Sequence, residues 1–304
     1  MKIVIIGAGA MGCLYGAKLS LVPENKIVLL AARTEYVDAV NSHGVLMESD
    51  GVFTRYDNLN ASTDASSAGH ADLAIIFVKS HSTKRAVENH IAVFGPETAV
   101  LTLQNGLGNV ELICEVIGSK NVVAGTTAHG ATALEPGKIR HAGIGKSVIG
   151  ELDGRQTERI KKICDVFNKA GLETAVSDDV LSVIWGKLLV NVGINALTGI
   201  TKLHNGELLE HPEITELLEL AVAEGAAVAK AKGIKLAFDD PVSRTKEVCI
   251  ATAKNKASML QDILNHKKTE IDMINGAIVR EGSKLGVATP VNSALTNLIK
   301  FIEK

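Results

Sequence analysis

The chain has 304 residues, 46% hydrophobic and 22% charged, which is ordinary for a soluble globular enzyme of about two domains. Its formal net charge of −2 and pI near 6.5 favour neither nucleic acid nor a membrane surface as a partner. The start does not read as a signal peptide, and no segment has the roughly 18 uninterrupted apolar residues of a membrane span. Cys13, Cys114, Cys164 and Cys249 lack metal-ligand spacing. We therefore expect reduced, buried thiols, no metal site and a cytoplasmic protein.

The first predicted elements surround a glycine-rich turn. An apolar run at residues 2–6 leads into Gly7-x-Gly9-x-x-Gly12, and an amphipathic helix at residues 11–21 and a strand at residues 26–30 follow. In this pattern the first glycine turns the chain, the second lets the backbone approach a pyrophosphate, and the third allows the helix to pack on the sheet. The sequence therefore predicts a dinucleotide site. Its predicted cofactor-binding residues are Gly7, Ala8, Gly9, Ala10, Met11 and Gly12.

The end of the second strand indicates which dinucleotide binds. NAD-specific sites usually carry an acid about 20 residues beyond the glycines, where it accepts from the ribose 2′-OH. Arg33 stands near that position in this chain. A guanidinium suits a 2′-phosphate, so the sequence favours NADP(H). Lys79, at the end of the third predicted strand, is the next cation expected to reach the cofactor.

The remaining elements divide the chain in two. Short buried runs, each followed by a helical pattern, are typical of a doubly wound parallel sheet, and beyond residue 178 the sequence is Leu-, Ala-, Glu- and Lys-rich at helical spacing. The predicted fold is α/β, with an N-terminal Rossmann doubly wound parallel sheet (1–176) that binds dinucleotide and a C-terminal all-helical, substrate-binding domain (177–304). The further predicted strands are residues 73–78, 99–103, 139–149 around a glycine-rich turn at 142–145, and 172–176.

A polar stripe marks one predicted helix of the second half. Lys187, Asn191 and Asn195 are spaced i, i+4 and i+8 and so lie on one face, while the other directions carry Leu, Val or Ile. A helix that is apolar all round is buried, and its polar groups need partners or a ligand. A buried lysine has a lowered pKa and can donate a proton near neutral pH. In a weaker cluster at residues 255–276, we expect capping or surface roles for Asp262 and Asp272.

Several stretches together resemble the ketopantoate reductase (2-dehydropantoate 2-reductase) family over nearly the whole chain. They are the glycine turn, Val78-Lys79, Gln104-Asn105-Gly106, residues 125–131, the Lys187-Asn191-Asn195 stripe, and residues 205–207, 258–262 and 269–272. The chain departs from the family pattern at Ala257, where a serine is more usual, and at Ala196, where a proline is frequent. Neither position has an implied role, so the departures concern the fit of the substrate more than the reaction.

The resemblance implies roles for individual residues. Lys187 looks like the general acid of an NADPH-dependent reduction of ketopantoate to pantoate, a step of pantothenate and coenzyme A biosynthesis. Asn105 looks like a contact for both cofactor and substrate. The further cofactor contacts it implies are Lys79, Ala131 and Glu270, and the further substrate contacts are Lys187, Asn191, Asn195, Asn205 and Ser258.

Two other functions stay open at this point. Another NAD(P)-dependent 2- or 3-hydroxy acid dehydrogenase would share the cofactor motif and a helical-domain lysine. A dinucleotide-sensing regulator without turnover would share the motif alone, and Lys187 within its polar stripe argues against it. The partner expected from the sequence is a small 2-oxo acid. The oligomeric state is left open, with a homodimer as one alternative.

Overall fold

The computed structural model describes residues 1–304. Its contacts divide the chain into two compact units, one of residues 1–104 and 109–180 and the other of residues 105–108 and 181–304. The short stretch 105–108 thus belongs with the helical unit, although it lies within the sequence of the sheet unit. The assignment of dinucleotide binding to residues 1–176 and of substrate binding to residues 177–304 stays a prediction.

The first unit contains all the strands and six helices. The strands are β1 Lys2–Ile6, β2 Lys26–Leu30, β3 Val45–Ser49, β4 Val52–Tyr56, β5 Asn60–Ser62, β6 Leu73–Ile76, β7 Ala99–Thr102, β8 Val122–Thr127, β9 Gly130–Glu135, β10 Lys138–Gly143, β11 Ser147–Glu151 and β12 Thr174–Val176. The helices are α1 Ala10–Leu19, α2 Thr34–His43, α3 Ala65–Ala68, α4 Thr83–Asn89, α5 Asn109–Ile117 and α6 Glu158–Lys169, with short 3-10 turns at Ser80–Ser82 and Ile91–Val93.

Eight strands form one sheet in the order β12-β11-β8-β7-β6-β1-β2-β5. The six strands from β8 to β5 are parallel, whereas β11 runs antiparallel to β8 and carries β12 with it. Both faces are covered: Ile3 and Ile5 of β1 belong to one hydrophobic cluster, and the alternating Val4 and Ile6 belong to another. This is the pattern of a doubly wound sheet, and it explains the continuous apolar runs.

A second, four-stranded sheet in the order β4-β3-β10-β9 was not predicted. The predicted strand at residues 139–149 is wrong as a single unit, because β10 lies in the small sheet and β11 in the large one. The predicted amphipathic character of the first helix is also wrong: residues 12–17 and 19 are all buried. The reason is that α1 packs on β1 and β2 from one side and on β3, β9 and β10 from the other.

The second unit is helical. Its helices are α7 Val180–Thr201, whose first residue belongs to the sheet unit, α8 Pro212–Ala231, α9 Pro241–Ala251, α10 Ser258–Leu264, α11 Asn275–Leu285 and α12 Pro290–Ile302, with short 3-10 turns at Gly206–Glu210 and Ile271–Met273. By length and composition alone α7 could cross a membrane, but 72% of its most apolar window is buried inside the protein. It has the character of a core helix in a soluble protein.

Helix α7 is packed closely because it carries a small residue where its neighbours approach. A Cβ added at Gly193 would lie 2.7 Å from a methyl of Val222 on α8 and 2.9 Å from a methyl of Thr245 on α9. In return, a Cβ at Gly225 of α8 would lie 2.6 Å from Leu189. Trp185, which is 2% exposed, belongs to the same hydrophobic cluster as α8. The close packing fixes the face that carries the polar stripe.

Candidate active site

In the glycine turn of the first unit, neighbouring backbone atoms lie too close to Gly7 and Gly12 for a side chain to fit. Gly7 has φ +113°, and a Cβ there would lie 2.8 Å from the Val78 nitrogen. The Gly7 N–H donates to the Leu30 carbonyl of β2 at 2.9 Å. A Cβ at Gly12 would lie 1.9 Å from the Gly7 oxygen. The turn therefore requires glycine at both positions.

Gly9 differs from these two glycines. It is exposed, nothing lies within 4 Å of a Cβ placed on it, and it caps α1 without a side-chain hydrogen bond. Helix α1 begins at Ala10 and has no acidic residue in its first turn, so no carboxylate competes for its first N–H groups. Those N–H groups and the positive end of the helix dipole suit a phosphate group. Met11 is half-buried and Ala8 buried beside the turn. These residues fit a dinucleotide.

The two predicted cofactor cations are exposed. Arg33 follows β2 and begins α2; its side chain is 60% exposed, pairs with Glu35 at 2.9 Å and lies 4.7 Å over the Tyr36 ring. Lys79 stands after β6, at the start of the Ser80–Ser82 turn. Both positions follow carboxyl ends of parallel strands, the edge at which open α/β sheets bind ligands. Ala131 instead lies on β9 of the small sheet, opposite His141.

In the second unit, Lys187 lies on α7; the residue as a whole is half-buried, and its ammonium group is buried. Its Nζ donates a hydrogen bond to Asn105 Oδ1 at 2.7 Å. Burial lowers the pKa of Lys187 from 10.5 to about 8, and the negative charge of Glu270 opposes this shift. Glu270 is itself buried. The structure thus brings together three predicted site residues that lie far apart in the sequence.

The two asparagines of the predicted stripe follow Lys187 on α7. Asn191 is half-buried and Asn195 is only 4% exposed. Neither side-chain amide makes a hydrogen bond with another group of the chain. Because neither amide is committed to a partner within the chain, both can donate to and accept from a ligand.

Asn205 and Ser258 begin two other elements of the helical unit. Asn205 precedes the Gly206–Glu210 turn, and its Nδ2 donates to Thr252 Oγ1 at 2.9 Å. Its Oδ1 is buried and has no partner. Ser258 is half-buried at the first position of α10. Asn205 thus has a free acceptor, while Ser258 offers a hydroxyl at a helix start.

The two aspartates of the weaker cluster behave differently. Asp272 pairs with Lys300 at 2.6 Å and is partly exposed, as expected of a surface residue. The predicted surface role of Asp262 is wrong, since this residue lies inside α10 and is 8% exposed. Met259 and Leu260 of the same helix are buried as well. The alternative capping role stays a prediction.

A pair of imidazoles in the first unit, one buried (His129) and one half-buried (His141), has no role in the sequence interpretation. His129 Nδ1 lies 3.1 Å from His141 Nε2, and His129 Nε2 is buried without a partner. Burial lowers the pKa of His129 to about 4, and the nearby His141 and Lys18 add to the shift. The ring of Tyr15 packs edge-on against His129. Spacing gave no sign of this pair, because it joins the connection between β8 and β9 to β10 of a sheet that was not predicted.

Comparison with known proteins identifies the family. The family model described as "Ketopantoate reductase PanE/ApbA" matches residues 3–154, and "Ketopantoate reductase PanE/ApbA C terminal" matches residues 179–303. The chain belongs to the ketopantoate reductase family. The predicted resemblance and the predicted fold class are thus confirmed, and the chain is a dinucleotide-dependent oxidoreductase.

Relatives in this family match along their full length. The 2-dehydropantoate 2-reductase of Halobacterium salinarum is 36% identical over 308 residues, which cover 100% of this chain and 99% of that protein. The 2-dehydropantoate 2-reductase of Pyrococcus horikoshii is 36% identical over 304 residues, covering 100% and 98%. Among solved structures, D-mandelate dehydrogenase with NADH and anilino(oxo)acetate has a TM-score of 0.93 at 30% identity, with 100% of this chain and 98% of that chain covered.

Proposed function

We propose that this protein reduces ketopantoate to pantoate with NADPH in the cytoplasm, as a step of pantothenate and coenzyme A biosynthesis. The observation that carries the proposal is the Lys187 ammonium, held 2.7 Å from the Asn105 amide on a mostly buried helix. Support comes from full-length relatives named 2-dehydropantoate 2-reductase at 36% identity. The cytoplasmic location is supported by the composition and the burial of α7.

The proposed mechanism assigns the proton to Lys187. When bound at the glycine turn, a nicotinamide dinucleotide would supply a hydride to the ketone carbon, and negative charge would then develop on the ketone oxygen. The Lys187 ammonium stabilises this charge and donates its proton to that oxygen. A pKa near 8 keeps the ammonium protonated at neutral pH and still makes it a ready donor. The Asn105 amide oxygen restrains the ammonium before transfer.

The remaining residues divide between cofactor and substrate. We assign the glycine turn with Arg33, Lys79, Asn105, Ala131 and Glu270 to the cofactor, and Asn105, Asn191, Asn195, Asn205 and Ser258 to the substrate. The amides of Asn191 and Asn195, which have no partner in the chain, support the second assignment. Residues 1–176 accordingly act as the dinucleotide-binding part and residues 177–304 as the substrate-binding part. The preference for NADPH is supported by Arg33, whose guanidinium is shared with Glu35.

A second candidate function is the reduction of a different 2-oxo acid. D-Mandelate dehydrogenase has the same fold at a TM-score of 0.93, and its structure holds NADH. A hydroxy acid dehydrogenase of that kind would use the same proton donor on a different substrate. The two candidates differ in the groups around the ketone and in the cofactor.

One experiment separates these candidates. The purified protein is supplied with NADPH or NADH and with ketopantoate, the 2-oxo acid corresponding to mandelate, or other 2-oxo acids, and cofactor oxidation is followed by absorbance. The proposal expects the highest kcat/KM for ketopantoate with NADPH. A higher value for the aromatic acid with NADH would establish the second candidate. NADPH binding without oxidation in the presence of any acid would indicate a dinucleotide sensor.

A further inference from the structure

The stretch Asn105–Gly108 lies against the turn Ile271–Met273 within the helical unit. The Leu107 N–H donates to the Met273 carbonyl at 2.8 Å. A Cβ at Gly106, which has φ +85°, would lie 2.2 Å from that same oxygen. One carbonyl therefore both holds the stretch and leaves no room for a side chain at position 106.

The turn that receives the stretch also carries the charge beside Lys187. The Met273 N–H donates to the Glu270 carbonyl at 2.9 Å, so Glu270 and Met273 are held on one turn. The Glu270 carboxylate favours the charged form of Lys187. Arg280 donates to the Asp272 carbonyl, and Lys300 pairs with the Asp272 carboxylate at 2.6 Å, which fixes the turn from its other side.

We propose that Gly106 is a positioning residue whose close approach to the Met273 carbonyl sets the acceptor of the Lys187 ammonium. The adjacent Asn105 supplies that acceptor at 2.7 Å. Any side chain at position 106 must push the stretch off the turn, because the obstructing atom is backbone and cannot rotate away. The inference rests on the proposed role of Lys187 as the proton donor.

The test compares three glycine variants. Gly106→Ala forces the stretch away from Met273. Gly286→Ala is the matched control: its φ of +71° imposes similar backbone strain in the same unit, but nothing lies within 4 Å of the new Cβ. Gly108→Ala is the milder variant, since its Cβ would meet the movable Met273 Sδ at 3.3 Å. It carries the test if Gly106→Ala fails to fold.

The readout is independent of turnover. Trace acetylation of lysines at increasing pH, quantified by mass spectrometry, gives the pKa of Lys187 without substrate. Losing the Asn105 acceptor disfavours the ammonium, so Gly106→Ala should lower this pKa, Gly108→Ala should lower it less, and Gly286→Ala should leave it unchanged. A melting temperature lowered by Gly106→Ala with an unchanged Lys187 pKa would overturn the proposal.

Turnover gives the second readout. Misplacement of a proton donor should lower kcat for ketopantoate by roughly 10- to 100-fold. If Gly106 acts through Asn105, then Gly106→Ala should add little in an Asn105→Ala background. Additive losses would overturn the proposal. If the unmutated protein does not reduce ketopantoate, the proposed function fails, while the pKa comparison still decides the positioning role.

Discussion

Each unit of the molecule buries a basic side chain, and the two side chains have different proton affinities. In the sheet unit, burial lowers the pKa of His129 from 6.5 to about 4. In the helical unit, burial lowers the pKa of Lys187 from 10.5 to about 8. The same physical cause leaves one group uncharged over most of the physiological range and the other charged at neutral pH.

The neighbours explain why the outcomes differ. His129 is close to His141 and Lys18, which make a further positive charge less favourable. Lys187 is close to Glu270, whose negative charge opposes desolvation, and it has the Asn105 oxygen as acceptor. Burial removes charge unless an acid and an acceptor are buried with the base. A buried base with such partners is a candidate for chemistry, and one without them affects stability.

The sharpest test of this comparison removes the charged base. Lys187→Ala should lower kcat for ketopantoate reduction by ~10²–10⁴-fold while NADPH binding persists, because only the proton donor is lost. In the unmutated protein kcat should decline above pH of about 8, since the ammonium deprotonates there, and the variant should lack this limb. Steady-state kinetics across pH measures both effects.

The control for this prediction is Lys230→Ala, which removes an exposed lysine from α8. Its kinetics should match those of the unmutated protein. Near-normal turnover in Lys187→Ala, combined with an altered melting temperature, would identify Lys187 as a structural lysine.

The uncharged base, His129, should make the stability of the protein fall in acid. In the unfolded chain His129 takes up a proton below pH 6.5, whereas in the folded protein it resists protonation until about pH 4. The contribution of His129 to the free energy of unfolding is therefore fully present above pH 6.5 and is lost as the pH falls towards 4. The difference corresponds to about 3 kcal/mol, and the lowered pKa of His141 acts in the same direction. His129→Gln should therefore make the free energy of unfolding fall less steeply between neutral and acidic pH.

Urea unfolding between neutral and acidic pH measures this slope. His43→Gln, at an exposed position at the end of α2, is the control and should keep the slope of the unmutated protein. An equally steep decline in His129→Gln would show that the imidazole pair is not the acid-sensitive element.

The fold was predictable where local chemistry decides it. The strand predicted at residues 26–30 is observed at Lys26–Leu30, because it pairs with β1 and β5 at its two edges and its apolar side chains enter the hydrophobic clusters on both faces. The small sheet was missed, although Asp50-Gly51 between β3 and β4 is a recognised hairpin signal, with φ of +50° and +80°. The pairing of β3 with β10 joins segments far apart in sequence, and no local pattern specifies it.

The site was predictable to a different degree in each unit. The glycine turn is a backbone structure, so its spacing alone indicates its geometry. The stripe on α7 followed from helical periodicity, but the 2.7 Å contact of Lys187 with Asn105 spans 82 residues. Helical periodicity does not predict which distant segment contacts Lys187. The contact of Gly106 with Met273 could not be predicted for the same reason.

A third prediction extends the comparison to uncharged buried groups. Asn195 and Asn292 are 4% and 0% exposed, but only Asn292 is bonded, donating to the Ala221 carbonyl and to Glu224. Asn195→Ala should raise the KM for ketopantoate by the equivalent of about 1–3 kcal/mol and should keep or raise the melting temperature, because no bond within the protein is lost.

Asn292→Ala is the matched variant with the opposite expectation. It should lower the free energy of unfolding by about 1–3 kcal/mol, because the Ala221 carbonyl and the Glu224 carboxylate lose their donor. Its KM for ketopantoate should be close to that of the unmutated protein. Calorimetry and steady-state kinetics on both variants provide the comparison. A loss of stability in Asn195→Ala with an unchanged KM would place this amide in the structural class with Asn292.

The smallest effect is expected where the cation is exposed. Arg33 is 60% exposed and already paired with Glu35, so solvent screens its charge and the carboxylate competes with a 2′-phosphate. Arg33→Ala should raise the KM for NADPH by about tenfold and leave that for NADH unchanged.

Glu35→Gln should have the opposite effect and lower the KM for NADPH, because it frees the Arg33 guanidinium. Both differences should shrink as salt is added, unlike the effect of Lys187→Ala, which concerns a buried charge. Equal use of NADH and NADPH by the unmutated protein would exclude Arg33 as the determinant of cofactor choice.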